Sequence, residues 1–136
     1  MDLKTLVAMY SNPAPKVKLL CLGISKAEGF DVPGSLPARC HNPGDLEIGN
    51  VGYGVDNGKT IFPDDATGWA ALYREGSLML AAMTSLHRSH VYSLGETFLQ
   101  VAQAWTGGDN PSGWAQTVAE TCGMSVTNTL QEFLDA

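Results

Sequence analysis

The chain reads PKVKLLCLGISKAE at residues 15–28, and this stretch is the element around which we expect the rest of the fold to form. Pro15 suits the first turn of a helix, where its missing N–H has no intrahelical partner, and Gly29 is a typical stop. Leu19 and Leu22 add apolar surface on one side, and the opposite side carries a continuous apolar stripe of Val17, Leu20, Cys21, Ile24 and Ala27. The pattern predicts a central, buried helix.

The last residue of this helix, Glu28, lies on the apolar stripe, four residues after Ile24 and eight after Leu20. A carboxyl group at this position should face protein or a cleft rather than open water. Desolvation penalises the charged form and raises the pKa, which suits a general acid near neutral pH. The residues alone leave open the alternative that Glu28 is solvated or paired with a cation.

The segments before and after this helix have different sequence patterns. Residues 3–10 predict a short helix that ends before the Asn12-Pro13-Ala14-Pro15 break. Glycine and proline concentrate between residues 29 and 58, and β-prone pieces lie at 46–48, 51–55 and 59–62. Asp56-Asn57-Gly58 predicts a hairpin, because Asn-Gly readily adopts the positive φ angles of a type I′ turn. We expect a small, irregular sheet of two or three strands.

From Asp64 onward the sequence is typical of helices. Four are predicted, with these bounds: from Asp64 or Asp65 to Leu86 or Ser89, from Ser93 to Gly107, from Asn110 to Gly123, and from Val126 to Leu134. Helices therefore surround one small sheet, in an α+β fold that is mainly α.

Length and charge narrow the class of protein. The 136 residues suit a single domain, with 1–14 as an N-terminal helix and linker and 15–136 as the core. The chain has 8 basic and 14 acidic residues, a net charge of -6, which argues against nucleic-acid binding and against a polybasic membrane surface. No stretch approaches a membrane span, and the first ten residues show no signal-peptide cleavage pattern.

The cysteines and histidines offer little support for a metal site. Cys21, Cys40 and Cys122 are widely spaced, so we expect buried thiols, with one disulfide and a spare thiol as the alternative. His87 and His90 have a spacing that can share a ligand face, but no acidic residue or cysteine nearby in sequence completes a set. We expect no metal, and we interpret His87 as a helix-end histidine with a satisfied hydrogen bond.

A second pair of carboxylates alternates with apolar residues in the middle of the chain. Asp45 and Glu47 flank Leu46 and precede Ile48, so one side of this segment is apolar and the other acidic. If the acidic side lines a cleft, one carboxylate can stabilise a developing cation or hold a water molecule. The alternative is a solvated strand face.

Several segments in order resemble phage-type lysozyme-like proteins. The first is Ile24-Ser25-Lys26-Ala27-Glu28-Gly29-Phe30, followed by Gly34-Ser35-Leu36-Pro37-Ala38-Arg39 and by Cys40-His41-Asn42-Pro43-Gly44-Asp45-Leu46. The match continues through Phe62, Gly68-Trp69-Ala70-Ala71-Leu72, Leu94, Trp105, Asp109-Asn110 and Trp114-Ala115-Gln116-Thr117-Val118. It covers about Val17 to Phe133, and its specificity lies in the ordered set rather than in any single piece.

The resemblance implies a lysozyme-like fold and a peptidoglycan-cleaving enzyme, either a muramidase or a lytic transglycosylase. Glu28 stands in the place of the catalytic acid, which protonates the glycosidic oxygen between N-acetylmuramic acid and N-acetylglucosamine. Such proteins use no metal or organic cofactor. A monomer that acts on glycan strands of the bacterial cell wall, in the periplasm, outside the cell or on a virion, is the corresponding expectation.

The resemblance also suggests residues that bind the substrate. Asn42 is expected to bond an acetamido group. His41 and Asp45 stand where the family often has asparagine, and Trp114 stands where related transglycosylases often have tyrosine. The full set of expected substrate-binding residues is His41, Asn42, Asp45, Glu47, Tyr53 and Trp114. For Trp114, the apolar stripe with Val118 and Cys122 leaves open a core role.

The departures at His41, Asp45 and Trp114 support an alternative from another class of protein. This is a wall-binding or virion structural protein that keeps the fold without turnover. A helical interaction protein unrelated to sugars is a third interpretation. Release of fragments from the wall, or binding without release, distinguishes the first two.

Overall fold

The computed structural model describes residues 2–136, and these form seven helices and one two-stranded antiparallel sheet. In chain order the elements are α1 (Leu3–Tyr10), α2 (Pro15–Glu28), α3 (Leu36–Arg39), β1 (Val55–Asp56), β2 (Lys59–Thr60), α4 (Asp65–Leu80), α5 (Phe98–Thr106), α6 (Pro111–Thr121) and α7 (Leu130–Asp135). The predicted α+β class, mainly α, is confirmed.

Helix α2 begins and ends where the sequence predicts. Pro15 occupies its first turn, and Gly29 ends it with a φ of 77° that closes the helix through backbone hydrogen bonds. Leu20, Cys21 and Ile24 are fully buried against α4 and α6. The prediction that the helix is buried on both sides is wrong, because Leu19 and Leu22 keep 36% and 42% of their surface exposed.

The contact between α2 and α6 is unusually close, and it sets the position of Glu28. A Cβ atom at Gly23 would lie 3.1 Å from the Cα of Val118, so glycine lets the two backbones meet. Further along, Glu28 meets Trp114, which shows that the two helices run antiparallel. The end of α2 therefore lies beside the beginning of α6.

The sheet is smaller than the upper limit of the prediction. β1 and β2 pair Val55 with Thr60 and Asp56 with Lys59. Asn57 and Gly58 both have positive φ angles, 50° and 79°, as the predicted type I′ turn requires. Residues 46–48 form no strand, although this segment lies beside β2 and its Leu46 carbonyl accepts a hydrogen bond from the Thr60 N–H.

Two helix predictions in the second half are wrong at their boundaries. Helix α4 has the predicted cap at Asp64 but ends at Leu80, because Ala82 turns into a left-handed conformation. The cap of α5 is Thr97 rather than Ser93, since Thr97 and Gln100 form a capping box. Residues 81–97, between α4 and α5, form a loop, and an isolated antiparallel bridge within it pairs Thr84 with Val91.

Other boundaries differ for similar reasons. α7 begins at Leu130 rather than Val126, because Thr129 and Glu132 form a second capping box. The four-residue α3, capped by Ser35, lies in the glycine- and proline-rich part of the chain, where the sequence predicted no helix. α1 and α6 start within a residue of their predicted positions, and α6 ends at Thr121, two residues before the predicted stop.

All three cysteines are buried and unpaired, which confirms the prediction of buried thiols. Within residues 2–136, no helix is long and apolar enough to cross a membrane.

Candidate functional site

A cleft of about 460 Å³ opens where the end of α2 meets the start of α6. Its walls come from six places in the chain, which the fold brings together. The lining residues are Ala27, Glu28, Asp45, Lys59, His87, Arg88, Trp105, Thr106, Asp109, Asn110, Gly113, Trp114 and Thr117. The volume is in the range of small-molecule sites.

Glu28 is the carboxyl group at the inner end of this cleft. Burial and the neighbouring charge of Asp45 raise its pKa from 4.5 to about 7. The indole N–H of Trp114 donates a 2.9 Å hydrogen bond to Glu28 Oε2 and, with the positive charge of Lys59, opposes part of that rise. At neutral pH Glu28 is therefore divided between its acid and its carboxylate, the state that a general acid and base requires.

Two tryptophans form the apolar side of the cleft. Trp114 is 4% exposed and Trp105 is 1% exposed, and their ring centroids lie 5.9 Å apart at an interplanar angle of 30°. Trp114 therefore lies in the core, the alternative that its apolar stripe left open, and the same side chain also reaches Glu28 through its N–H. The N–H of Trp105 has no hydrogen-bond partner although it is buried.

The opposite side of the cleft carries a charge network. Lys59 lies 3.3 Å from Asp45 Oδ2 and 2.8 Å from Glu47 Oε1, and Arg88 lies 3.3 Å from Glu47 Oε2. Burial raises the pKa of Asp45 even though Lys59 opposes the shift. For Glu47 the effect of burial is smaller than the combined effect of Lys59 and Arg88, which lowers its pKa.

The predicted alternation at residues 45–48 is present without a strand. Asp45 and Glu47 both contact Lys59, while Leu46 is fully buried in the core. Asp45 is therefore not on a solvated face, and it shares the cleft with Glu28. Asp45 and Arg88 have left-handed φ angles of 51° and 61°, uncommon for residues other than glycine.

Asn42 organises this segment from inside the protein. It has no exposed surface, and its amide nitrogen donates to the carbonyl oxygens of Leu46 and Thr60 at 3.0 and 2.9 Å. Its amide oxygen accepts from the Leu46 N–H at 2.8 Å. The prediction that Asn42 bonds a substrate acetamido group is wrong, because every one of these contacts is internal and no surface remains for a ligand.

His87 connects the charge network to the tryptophans. Its Nδ1 accepts a 3.0 Å hydrogen bond from the backbone N–H of Glu47, so the ring proton lies on Nε2, which donates to the carbonyl of Trp105 at 3.0 Å. Burial lowers the pKa of His87 to about 4, and the ring is neutral at pH 7. His87 does have satisfied bonds, but it lies in the 81–97 loop and not at a helix end.

Glu75 holds the loop of residues 81–97 in place through hydrogen bonds. This α4 side chain is fully buried, and its Oε2 contacts the Ser85 hydroxyl at 2.7 Å and the Leu86 N–H at 3.1 Å. Burial raises the pKa of Glu75. The loop carries His87 and Arg88 into the cleft, so Glu75 holds part of the cleft wall without touching the cleft.

The structure brings together only some of the residues that the sequence predicts for the site. Glu28, Asp45 and Trp114 line the cleft, and Glu47 lies one contact behind it. His41 turns away and pairs with Asp65, 2.8 Å from its carboxylate. Tyr53 is 54% exposed in the loop before β1 and does not line the cleft. His41 and Tyr53 are therefore wrong as parts of this cleft.

Sequence reasoning missed Lys59, Arg88 and Trp105 as parts of the site. Trp105 had a signal, since it follows Phe98 and Val101 at helical spacing and so belonged on an inward face. The hairpin register places Lys59 opposite Asp56. The sequence around Lys59 does not indicate that its side chain contacts Asp45 and Glu47. Arg88 depends on the loop held by Glu75, which has no sequence signature.

Among residues 2–136, no group of three histidine, cysteine or acidic side chains is arranged to hold a metal ion. Comparison of the chain with protein-family models, with curated proteins and with solved structures found no match.

Proposed function

We propose that this protein cleaves the glycosidic bond between N-acetylmuramic acid and N-acetylglucosamine in peptidoglycan, with Glu28 as general acid and base and with a lysozyme-like fold. The observation that carries the proposal is the environment of Glu28. It combines a pKa of about 7 with a place in a cleft that a second carboxyl group, Asp45, also lines. A glycosidase needs this pairing of carboxyl groups.

The chemistry follows from the two protonation states of Glu28. The acid form donates its proton to the glycosidic oxygen as the C–O bond breaks and positive charge develops on the sugar ring. The carboxylate then removes a proton from a water molecule, which gives hydrolysis, or from the 6-hydroxyl of the same sugar, which gives a 1,6-anhydro product. Glu28 regains its proton in either route.

Asp45 is the candidate for the second carboxylate. It lies 3.3 Å from Lys59, whose positive charge opposes the rise in the pKa of Asp45 that burial causes. A carboxylate in the cleft stabilises the oxocarbenium-like charge on the sugar. Glu47 is less suited to this role because it is already paired with both Lys59 and Arg88.

The experiment compares loss of turbidity of purified cell walls for the wild type, Glu28→Gln and Glu120→Gln. Glu120 is exposed on α6 and serves as the matched control. Removing the general acid should slow cleavage by about 10²- to 10⁴-fold, while Glu120→Gln keeps its rate. Mass spectrometry of the fragments separates anhydro from reducing muramic acid ends.

Equal rates for the wild type and Glu28→Gln overturn the role of Glu28. Wall binding by a folded wild type that releases no fragment, with circular dichroism as the check on folding, overturns the enzymatic proposal. That result selects the non-catalytic wall-binding or virion structural alternative.

A further inference from the structure

We propose that Trp105 is a positioning residue whose indole N–H bonds the carboxylate of Glu28 once this group has given up its proton. The inference rests on the proposed function for its catalytic meaning, but the interaction itself is a property of the free protein. Trp114 is then the first of two indole donors on Glu28, and Trp105 is the second.

The geometry that supports this is an unmatched donor next to an acceptor with spare capacity. Trp105 is 1% exposed, and its Nε1 is sealed from solvent with no hydrogen-bond partner in the protein. A buried indole N–H without a partner is energetically unfavourable and needs an explanation. Trp105 lines the same cleft as Glu28, and its N–H lies close enough to lower the pKa of that carboxyl.

Because this N–H is shielded from solvent, only a neighbouring group of the protein can accept its hydrogen bond. A substrate in the cleft cannot reach an atom that has no accessible surface, so a ligand contact does not explain it. Glu28 is the carboxyl group that this N–H already influences. Trp114 occupies Glu28 Oε2, which leaves Oε1 for the second donor.

The two donors have different effects on the two forms of Glu28. In the acid form one oxygen carries the proton, and the hydrogen bond from Trp114 satisfies the other. When the proton moves to the glycosidic oxygen, both oxygens become acceptors and both indole N–H groups can donate to them. The fold therefore stabilises the product of proton transfer without moving a backbone element.

The packing of Trp105 keeps this donor in place. Its ring centroid lies 5.9 Å from that of Trp114 and 4.7 Å from that of His87, and both ring pairs are tilted. The charged and titratable groups that face Glu28 in the cleft are Asp45, Lys59, His87, Arg88 and Asp109. They stay unchanged in the variants below, so the variants test the donors alone.

The test follows the titration of Glu28 by carbon NMR of protein labelled at the glutamate side-chain carboxyl, with Glu28→Gln assigning the signal. Two changes remove the Trp105 N–H. One is Trp105→Phe, and the other places 3-benzothienylalanine at position 105, which keeps the shape of the indole and replaces the N–H by sulfur. Trp69→Phe is the matched control, since Trp69 packs on Phe30 and Tyr73 away from the cleft.

Both changes at Trp105 should raise the titration midpoint of Glu28 by roughly 0.5 to 1 pH unit, the equivalent of one hydrogen bond. Trp69→Phe should leave the midpoint unchanged. A shift in Trp105→Phe without a shift in the isosteric analogue means that packing, not the N–H, is responsible, and overturns the proposal. A titration midpoint of Glu28 that is unchanged by both changes at Trp105 also overturns the proposal. These titrations need no cell wall, so they can succeed even if the protein cleaves none.

Discussion

Glu28 is a half-buried and Glu75 a fully buried glutamate on neighbouring helices, and their surroundings differ. Burial raises the pKa of both. Glu28 faces a cleft, two indole rings and the charges of Asp45 and Lys59. Glu75 faces the Ser85 hydroxyl and the backbone of a loop, with no cleft beside it. Burial alone therefore does not mark a catalytic acid, because access and the nature of the partners decide what a raised pKa can do.

The hydrogen bonds of Glu75 connect it to the loop formed by residues 81–97. The Ser85 hydroxyl lies 2.7 Å from Glu75 Oε2 and 2.8 Å from the carbonyl oxygen of His87. The Ser85 hydroxyl and the N–H groups of Leu86 and His87 are donors to Glu75, and they oppose part of the rise in its pKa that burial causes. Glu75 thus holds a loop in place, whereas Glu28 lines the cleft.

The largest effect on stability should come from Glu28→Gln, measured against pH. The folded protein holds the Glu28 proton up to a pKa of about 7, whereas the unfolded chain loses it near 4.5. The wild type therefore loses stability as pH rises from 4.5 through 7, by about 3 kcal/mol from this group. Relative to the wild type, Glu28→Gln should gain that amount between pH 4 and pH 8.

Urea unfolding of both proteins at the two pH values gives this difference directly, and groups common to both proteins cancel. Glu120→Gln, which changes an exposed carboxyl group outside the cleft, is the matched control in the same comparison. A difference between the wild type and Glu28→Gln that does not change with pH would contradict the pKa of about 7.

Asn42→Ala separates the effect of burying a polar group from that of burying a charge. Asn42 makes three internal hydrogen bonds but has no ionisable group. Its loss should lower the free energy of unfolding by about 2 to 3 kcal/mol, equally at pH 4 and pH 8. A pH-dependent loss in urea unfolding would mean that the segment carrying Asp45 had moved and changed the titration of the cleft.

Ser85→Ala tests the role of Glu75 in holding the loop of residues 81–97. It removes the hydroxyl between Glu75 and His87, and we expect a loss of about 1 to 2 kcal/mol in thermal or urea unfolding. Because the loop carries His87 and Arg88, wall cleavage should also fall while the titration midpoint of Glu28 stays in place. A shift of that midpoint would show that the two glutamates are coupled.

The smallest effects should come from His41→Ala and Tyr53→Ala. Both side chains lie outside the cleft, and His41 makes only an exposed contact with Asp65. We expect changes within about 0.5 kcal/mol in stability and less than about two-fold in wall cleavage. A large loss of cleavage in either variant would extend the site beyond the cleft described above.

The predictable part of the fold lies where local signals agree. Helix α2 has proline at its start, glycine after its end and an apolar stripe between them, so its bounds follow from the sequence. The end of α4 and the start of α5 depend instead on the loop between them, which closes through a bridge and a buried glutamate distant in sequence. Local propensity contains no information about such contacts.

The same division holds for the site. Glu28 is found from its place on the stripe, and Trp114 from the resemblance, whereas its helical spacing indicated only the core. Asn42 was assigned to the ligand because an exposed loop amide and a buried one have the same sequence signature, and only the fold distinguishes them. Lys59 and Arg88 reach the cleft from segments far from Glu28 in the chain, so no spacing rule could have found them.

The left-handed backbone at Asp45 and Arg88 has a consequence for any attempt to transplant this site. A side chain in that conformation costs of order 1 kcal/mol, and an isolated peptide would relax out of it. Asp45 is kept there by the Asn42 bonds, and Arg88 by the loop that Glu75 fixes. A graft of residues 40–47 onto another scaffold would therefore keep the amino-acid sequence of the segment but lose its backbone conformation. The smallest portable unit includes the helices beneath the cleft.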